Sequence, residues 1–121
     1  MGQNSTEVAY GFGQLGSIFN DGTAAMTPPT NKVFVAITML TDTTFDTSAG
    51  LVADNDTTAG LEYTGTDTAA HNLSVASETV SSGGGGVIVD VGNIFPKGVT
   101  IYGRWTKINP ATGTLIAYIG D

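Results

Sequence analysis

The chain has 121 residues, so a single domain is the default expectation. Its 4 Lys and Arg against 11 Asp and Glu give a formal net charge of −7, which argues against a nucleic-acid partner because neutralising phosphates needs clustered basic side chains. The absence of cysteine excludes disulfides and thiolate metal sites, and the 40% hydrophobic content favours a folded chain over a disordered one.

The N-terminal segment, residues 1–31, alternates glycine with large apolar side chains at a spacing that fits neither a helix nor a strand. We expect an irregular arm that ends at the two prolines of "MTPPTN". The arm either packs on its own domain or docks onto an adjacent subunit. Its candidate subunit contacts are Tyr10, Phe12, Leu15, Ile18 and Phe19.

Membrane association is not expected from the sequence. The N-terminus has neither the basic nor the apolar stretch of a secretion signal. No window of the chain approaches the run of about 18 apolar residues that a membrane-spanning helix needs.

The first strong strand signal is "KVFVAITML", residues 32–40, which opens a single β domain predicted for 32–121. Its apolar side chains occupy both odd and even positions, a pattern typical of a central strand that is covered on both faces. Simple alternation puts Phe34 on the face opposite Ile37 and Met39. The next segment, 41–72, is rich in Thr, Asp, Gly and Ala. We interpret it as a surface excursion pinned by short apolar pieces, namely Phe45, Leu51 with Val52, and Leu61 with Tyr63, and as a candidate interface loop.

The second half of the domain begins with weaker signals. "LSVASETV", residues 73–80, alternates like an edge strand, and "SSGGGG", residues 81–86, predicts a flexible turn. "VIVDV", residues 87–91, predicts a short buried strand.

The best-patterned segment is the C-terminal one. "VTIYGRWTKI", residues 99–108, predicts a strand with Val99, Ile101 and Trp105 on one face. "NPATG" at 109–113 has the signature of a type I turn closed by Gly113, which can take a positive φ. "TLIAYIG" at 114–120 returns as the second strand of a hairpin. With no helical periodicity anywhere, the predicted class is all-β, either an antiparallel β-sandwich or a jelly-roll-like barrel.

Few residues suggest chemistry. The glycines of "SSGGGG" are not followed by the Lys and Ser or Thr of a phosphate-binding loop. Five aspartates of the excursion could converge on a hard cation: Asp42, Asp46, Asp54, Asp56 and Asp67. The calcium-loop spacing is incomplete, so the favoured interpretation is that they bond their own turn backbone. His71 stands alone without a catalytic motif. We predict no catalytic residue, no metal site, no cofactor and no enzyme activity.

Three blocks carry a resemblance: "YGFGQLGSIF", then "TPPTNKVFVAITMLTDTTFD" with "GLVAD", and finally "IFPKGVTIYGRWTKINPATGTLIAYIGD". Together these blocks, about half of the chain, resemble small virion structural proteins of tailed bacteriophages, especially marine and cyanobacterial phages. The greatest likeness is to capsid decoration (cement) proteins. Such proteins have no active site, so no residue roles follow from the resemblance.

The resemblance implies a structural protein that binds and stabilises a bacteriophage capsid. The expected partners are the major capsid protein and further copies of the chain, with a trimer as one arrangement. The expected location is the capsid surface of the virion, after assembly in the host cytoplasm. The alternative is a tail, collar or fibre component that binds host glycans through Trp105 and Tyr102, although a Trp in this position more commonly lies in a core.

Overall fold

A computed structural model describes residues 15–47, 49–54, 63–66 and 88–121. Within these ranges the chain forms seven strands and no helix, which confirms the all-β class. The strands are β1 (Ser17–Asn20), β2 (Val33–Met39), β3 (Thr44–Phe45), β4 (Leu51–Ala53), β5 (Thr100–Ile108), β6 (Pro110–Thr112) and β7 (Leu115–Gly120).

The strands form two antiparallel sheets that share one core. The larger sheet has five strands in the order β1-β7-β2-β5-β4, and the smaller one pairs β3 with β6. Phe45 of β3 belongs to the same buried cluster as Phe34 of β2 and Leu115 of β7, so the small sheet covers part of the larger one. The end strands β1 and β4 do not pair with each other, so the large sheet is open and the sandwich, not the barrel, is the better description.

Strand β2 is central, as its sequence predicts, but its two faces differ from simple alternation. The register against β7 shifts between Phe34 and Ala36, and this shift is a β-bulge at Val35. The bulge reverses the direction of one side chain, so Phe34, Ile37 and Met39 all lie in the core cluster. The prediction that Phe34 faces away from Ile37 is therefore wrong, because alternation holds only while the ladder is regular.

The prediction of a C-terminal hairpin is also wrong, although both of its strands, β5 and β7, are present. Strand β2 lies between β5 and β7, so the two are not hydrogen-bonded to each other. The segment predicted as the turn contains β6, which crosses to the small sheet and pairs there with β3. Gly113 does have the predicted positive φ, at 102°. The turn signature thus predicted the conformation of Gly113 correctly. It did not predict that β5 and β7 each pair with β2 and not with each other.

Of the remaining predictions, some are confirmed, some are wrong and some lie outside the described residues. The excursion at 41–72 is pinned by Phe45 and Leu51, both fully buried, as expected. The prediction of a short buried strand at 87–91 is wrong over 88–91, where one bridge joins Ile88 to Gly65 and no residue is buried, while residue 87 lies outside the described residues. The segments 73–80 and 81–86 lie outside the described residues.

The segment predicted as an irregular arm contains β1, which pairs with β7 along its whole length. Of the candidate contacts on this segment, Tyr10 and Phe12 lie outside the described residues. Residues 17–20 of this segment are therefore part of the main sheet and not of an irregular arm.

Gly113 provides a test of the β6 crossover. A Cβ at this position would contact the Thr43 hydroxyl and lie 2.7 Å from the Asp42 carbonyl oxygen. We expect Gly113→Ala to lower the free energy of unfolding by about 3 kcal/mol, from backbone strain together with overpacking. The measurement is urea unfolding followed by circular dichroism.

Gly98→Ala is the matched control. Gly98 also has a positive φ, at 89°, but no atom lies within 4 Å of a Cβ there. This variant should lose only about 1 kcal/mol, from the backbone alone. Equal losses in the two variants would contradict the described packing of β6 against the Asp42–Thr43 segment.

Candidate interaction surface

The outer face of the large sheet, on the side away from the core cluster, is built from rows of side chains that the strand register sets side by side. One row runs across Ser17, Tyr118, Ala36 and Tyr102. The next row runs across Phe19, Ile116, Thr38 and Thr100. Directly opposed residues in antiparallel strands share a face, so each row is a contiguous strip of surface.

Aromatic side chains dominate the exposed part of this outer face. Tyr102 is 68% exposed and Phe19 is 59% exposed, whereas Ala36, between Tyr118 and Tyr102 in its row, is 2% exposed. Within these rows the hydroxyls of Thr38 and Thr100 are hydrogen-bonded to each other, at 2.8 Å. The outer face therefore offers aromatic and apolar contacts together with hydroxyl groups, and neither row contains a charged side chain, whose burial would cost more.

A shallow groove of about 520 Å³ opens at one end of the outer face. Its lining consists of Val35, Tyr63, Tyr102, Gly103, Arg104, Gly120 and Asp121. The bulge shapes it, because the bulged Val35 leans over β7 and a Cβ on Gly120 would lie 2.6 Å from its Cγ1. Only glycine leaves room for Val35 there, and the groove is the space beside this contact.

The charged groups at the groove are paired. The Arg104 guanidinium donates from Nε and Nη2 to Asp54 Oδ2, each at 3.3 Å, and from Nη1 to the Asp121 carbonyl oxygen at 2.9 Å. Lys32 Nζ forms an ion pair with the Asp121 carboxylate. Each cation therefore has an acidic partner, so the groove offers an anionic ligand little attraction.

A second surface feature is the loop at 90–98, whose first part is fixed by side chain–backbone hydrogen bonds. Asp90 Oδ1 accepts from the Gly92 amide and Asn93 Oδ1 accepts from the Asp90 amide, both at 2.8 Å. The Asn93 amide also donates to the Asp90 carbonyl at 3.0 Å. This reciprocal Asp–Asn turn explains why the predicted strand ends here, since such side chains satisfy backbone groups that a ladder would otherwise use.

The second part of the loop is anchored on the small sheet. Phe95 exchanges two backbone hydrogen bonds with Thr43, both 2.8 Å long, and its ring meets Phe45 edge-on with centroids 5.4 Å apart. Between the two anchored ends, Val91 is 48% exposed and Ile94 is 66% exposed. The loop therefore presents two aliphatic side chains to solvent on a backbone that is already ordered.

The sequence-predicted contacts occupy different positions. Leu15 and Phe19 are exposed. Ile18 is half-buried, because it lies opposite Ala117 on the core side of the sheet. Sequence reasoning missed Val91 and Ile94. The available signal was the Asp-Val-Gly-Asn stretch at 90–93, which is typical of a turn and is followed directly by Ile94.

The chemical candidates that lie in the described residues do not form a common site. In the described part of the chain no three His, Asp or Glu side chains could hold one metal ion. Asp42 instead accepts from the Lys97 amide at 2.9 Å, and Asp54 binds Arg104. Asp56, Asp67 and His71 lie outside the described residues.

Trp105 is a core residue. It is 1% exposed, and its indole nitrogen donates to the Thr64 carbonyl at 2.7 Å. It therefore presents no face on which a sugar could stack, and the glycan-binding role considered for it is not compatible with the structure. Tyr102 keeps its exposed position.

Comparisons with protein families, with curated proteins and with solved structures found no match to this chain. Its described strands and loops include no helix that is long and apolar enough to cross a membrane.

Ile94 and its neighbour Phe95 should respond oppositely to truncation. We expect Ile94→Ser to change the free energy of unfolding by no more than about 0.5 kcal/mol, because the side chain is largely solvated. Phe95→Ala should cost about 2 kcal/mol or more, because it removes the ring that packs on Phe45. Thermal unfolding of both variants measures this. A large loss in Ile94→Ser would mean that Ile94 serves the fold and is not a contact residue.

Proposed function

We propose that this chain is a structural virion protein that binds and stabilises a bacteriophage capsid, that is, a decoration protein. The observation that carries the proposal is the loop at 90–98, where Val91 and Ile94 are held in solvent on a hydrogen-bonded turn. Burying one such side chain contributes about 1.5–3 kcal/mol. Because Val91 and Ile94 are largely solvated, they contribute little to the fold, and two such side chains close together on one loop are available to a partner surface.

The physical logic fits a protein that works by covering its neighbours. A loop that is ordered before binding loses little conformational entropy on contact, so more of the apolar burial appears as affinity. On a shell the same contact is repeated many times, and repetition turns weak single contacts into firm attachment. The resemblance of three sequence blocks to phage virion proteins supports the same role.

The proposal assigns partners and location but no reaction. The partners are the major capsid protein and further copies of the chain, and the location is the virion surface. We propose no catalytic residue and no cofactor, and binding requires neither.

A tail, collar or fibre component that binds host glycans is the second candidate. The groove favours it, because Tyr63 and Tyr102 line the same opening and aromatic side chains commonly stack on sugar rings. Tyr102 replaces Trp105 as the residue on which this candidate depends.

Two single variants separate the candidates. The probe is virions of the phage that encodes the chain, first stripped of the native protein with mild denaturant and then mixed with recombinant protein. Ile94→Ser should raise the dissociation constant for stripped heads at least about tenfold, because apolar burial is lost from the contact. Tyr102→Ser should bind like the wild type. Co-sedimentation gives both constants, and stripped heads should burst more readily on osmotic shock.

The outcomes point in different directions. Normal resistance of stripped heads, with the protein labelled on tails by immunogold, would refute decoration. Head binding that Tyr102→Ser weakens and Ile94→Ser leaves intact would refute the loop as the capsid contact, whereas glycan binding that Tyr102→Ser abolishes would favour the glycan-binding candidate. Glycan arrays probed with the same two variants provide the independent check.

A further inference from the structure

The two edge strands of the large sheet differ in how their outer sides are covered. At β4, the Leu51 amide donates to the Thr66 hydroxyl at 2.7 Å, and the Leu51 carbonyl accepts from the Thr66 amide at 2.8 Å. The side of β4 that faces away from β5 is thus already occupied. At β1, no described residue is paired with the side that faces away from β7.

The hydrogen-bond pattern shows which groups of β1 face outward. The Ile119 amide donates to the Gly16 carbonyl at 2.9 Å, so Gly16 and Ile119 are a hydrogen-bonded pair of the β1–β7 ladder. Such pairs alternate along an antiparallel ladder, so Ile18 and Asn20 also turn their backbone groups toward β7. Ser17 and Phe19 therefore direct their N–H and C=O groups away from the sheet.

In the described residues, β1 is a short edge strand of 4 residues, but its outer side has no charge, proline or bulge to prevent edge pairing. Native sheets protect exposed edges with Lys, Pro, bulges or inward-pointing charges. The stretch 15–20, "LGSIFN", contains no charged residue and no proline, and the β1–β7 register runs without a shift. Ser17 and Phe19 are both exposed residues, and no described residue pairs with their outward backbone groups. In a chain of net charge −7, an uncharged edge also avoids repulsion between copies.

We propose that β1 pairs antiparallel with β1 of a second copy of this chain, about a twofold axis at Ile18. Ser17 of each copy then lies opposite Phe19 of the other. Each such pair exchanges two N–H···O=C bonds, so all the outward groups of both residues are satisfied reciprocally. The two large sheets become one continuous sheet, with the two Ile18 side chains adjacent on the core side.

An interface about a twofold axis is closed, so the β1–β1 contact gives a dimer and not the trimer that is usual for a threefold position. Because this interface is short, we expect a weak dimer in solution. Copies held on a common surface would pair more completely, because their effective concentration is higher. The inference concerns how copies associate and does not depend on whether the surface is a capsid.

The test uses the wild-type chain over a concentration series up to about 1 mM, where even weak pairing is populated. Sedimentation equilibrium should show the mass rising from 12.3 kDa toward twice that value. Amide hydrogen exchange of Ser17 and Phe19 should slow as concentration rises. Exchange of Ile18 and Asn20, whose amides face β7, should not depend on concentration.

A matched pair of variants separates the backbone from the side chain. Phe19→Ala keeps the outward N–H, and Phe19→Pro removes it, at an edge position where proline is tolerated. Phe19→Pro should have a dimer dissociation constant at least about tenfold above that of Phe19→Ala, because one donor is lost in each copy. A monomeric mass throughout the series, a trimeric mass, or concentration-independent exchange at Ser17 and Phe19 would each overturn the proposal. So would equal constants for the two variants.

Discussion

The structure depends on the insertion of β2 between β5 and β7. Both neighbours bond to it along most of its length, and the bulge at Val35 turns Phe34 inward beside Ile37. Without the bulge, Phe34 would leave the core and a smaller side chain would take its place against the Trp105 ring. The same bulge pushes Val35 over Gly120 and so produces the groove on the outer face. The bulge at Val35 thus determines both the packing of Phe34 in the core and the groove on the outer face.

The small sheet connects this core to the loop that carries the proposed contact. Strand β3 supplies Phe45 to the core, and the adjacent Thr43 holds the backbone of Phe95. Burial of Phe45 therefore fixes Phe95, and Phe95 in turn fixes the direction of Ile94. The solvated Ile94 side chain is thus positioned by the buried Phe45, through Phe95. Its exposure is a consequence of the fold.

The surfaces proposed for binding share one property, which is that they carry little net charge of their own. The cations at the groove are paired with acids, and the edge of β1 has no charged side chain. Recognition through such surfaces depends on burial and backbone hydrogen bonds more than on ion pairs between the partners, so we expect it to depend only weakly on salt. This would suit the proposed role on a repeated surface, and it differs from the electrostatic steering that speeds the capture of charged ligands.

The sequence by itself determined the all-β class, the central position of β2, the burial of Phe45 and Leu51, and the positive φ of Gly113. These are local properties, because apolar patterning and turn chemistry act on residues that are close along the chain. Only the tertiary structure decided that β5 and β7 are separated, that Phe34 faces the core, and that Ile94 is solvated while Trp105 is buried. Strand order and bulges are decided by which strands compete for the same backbone donors and acceptors. That competition joins residues far apart in the chain, and no local pattern records its outcome.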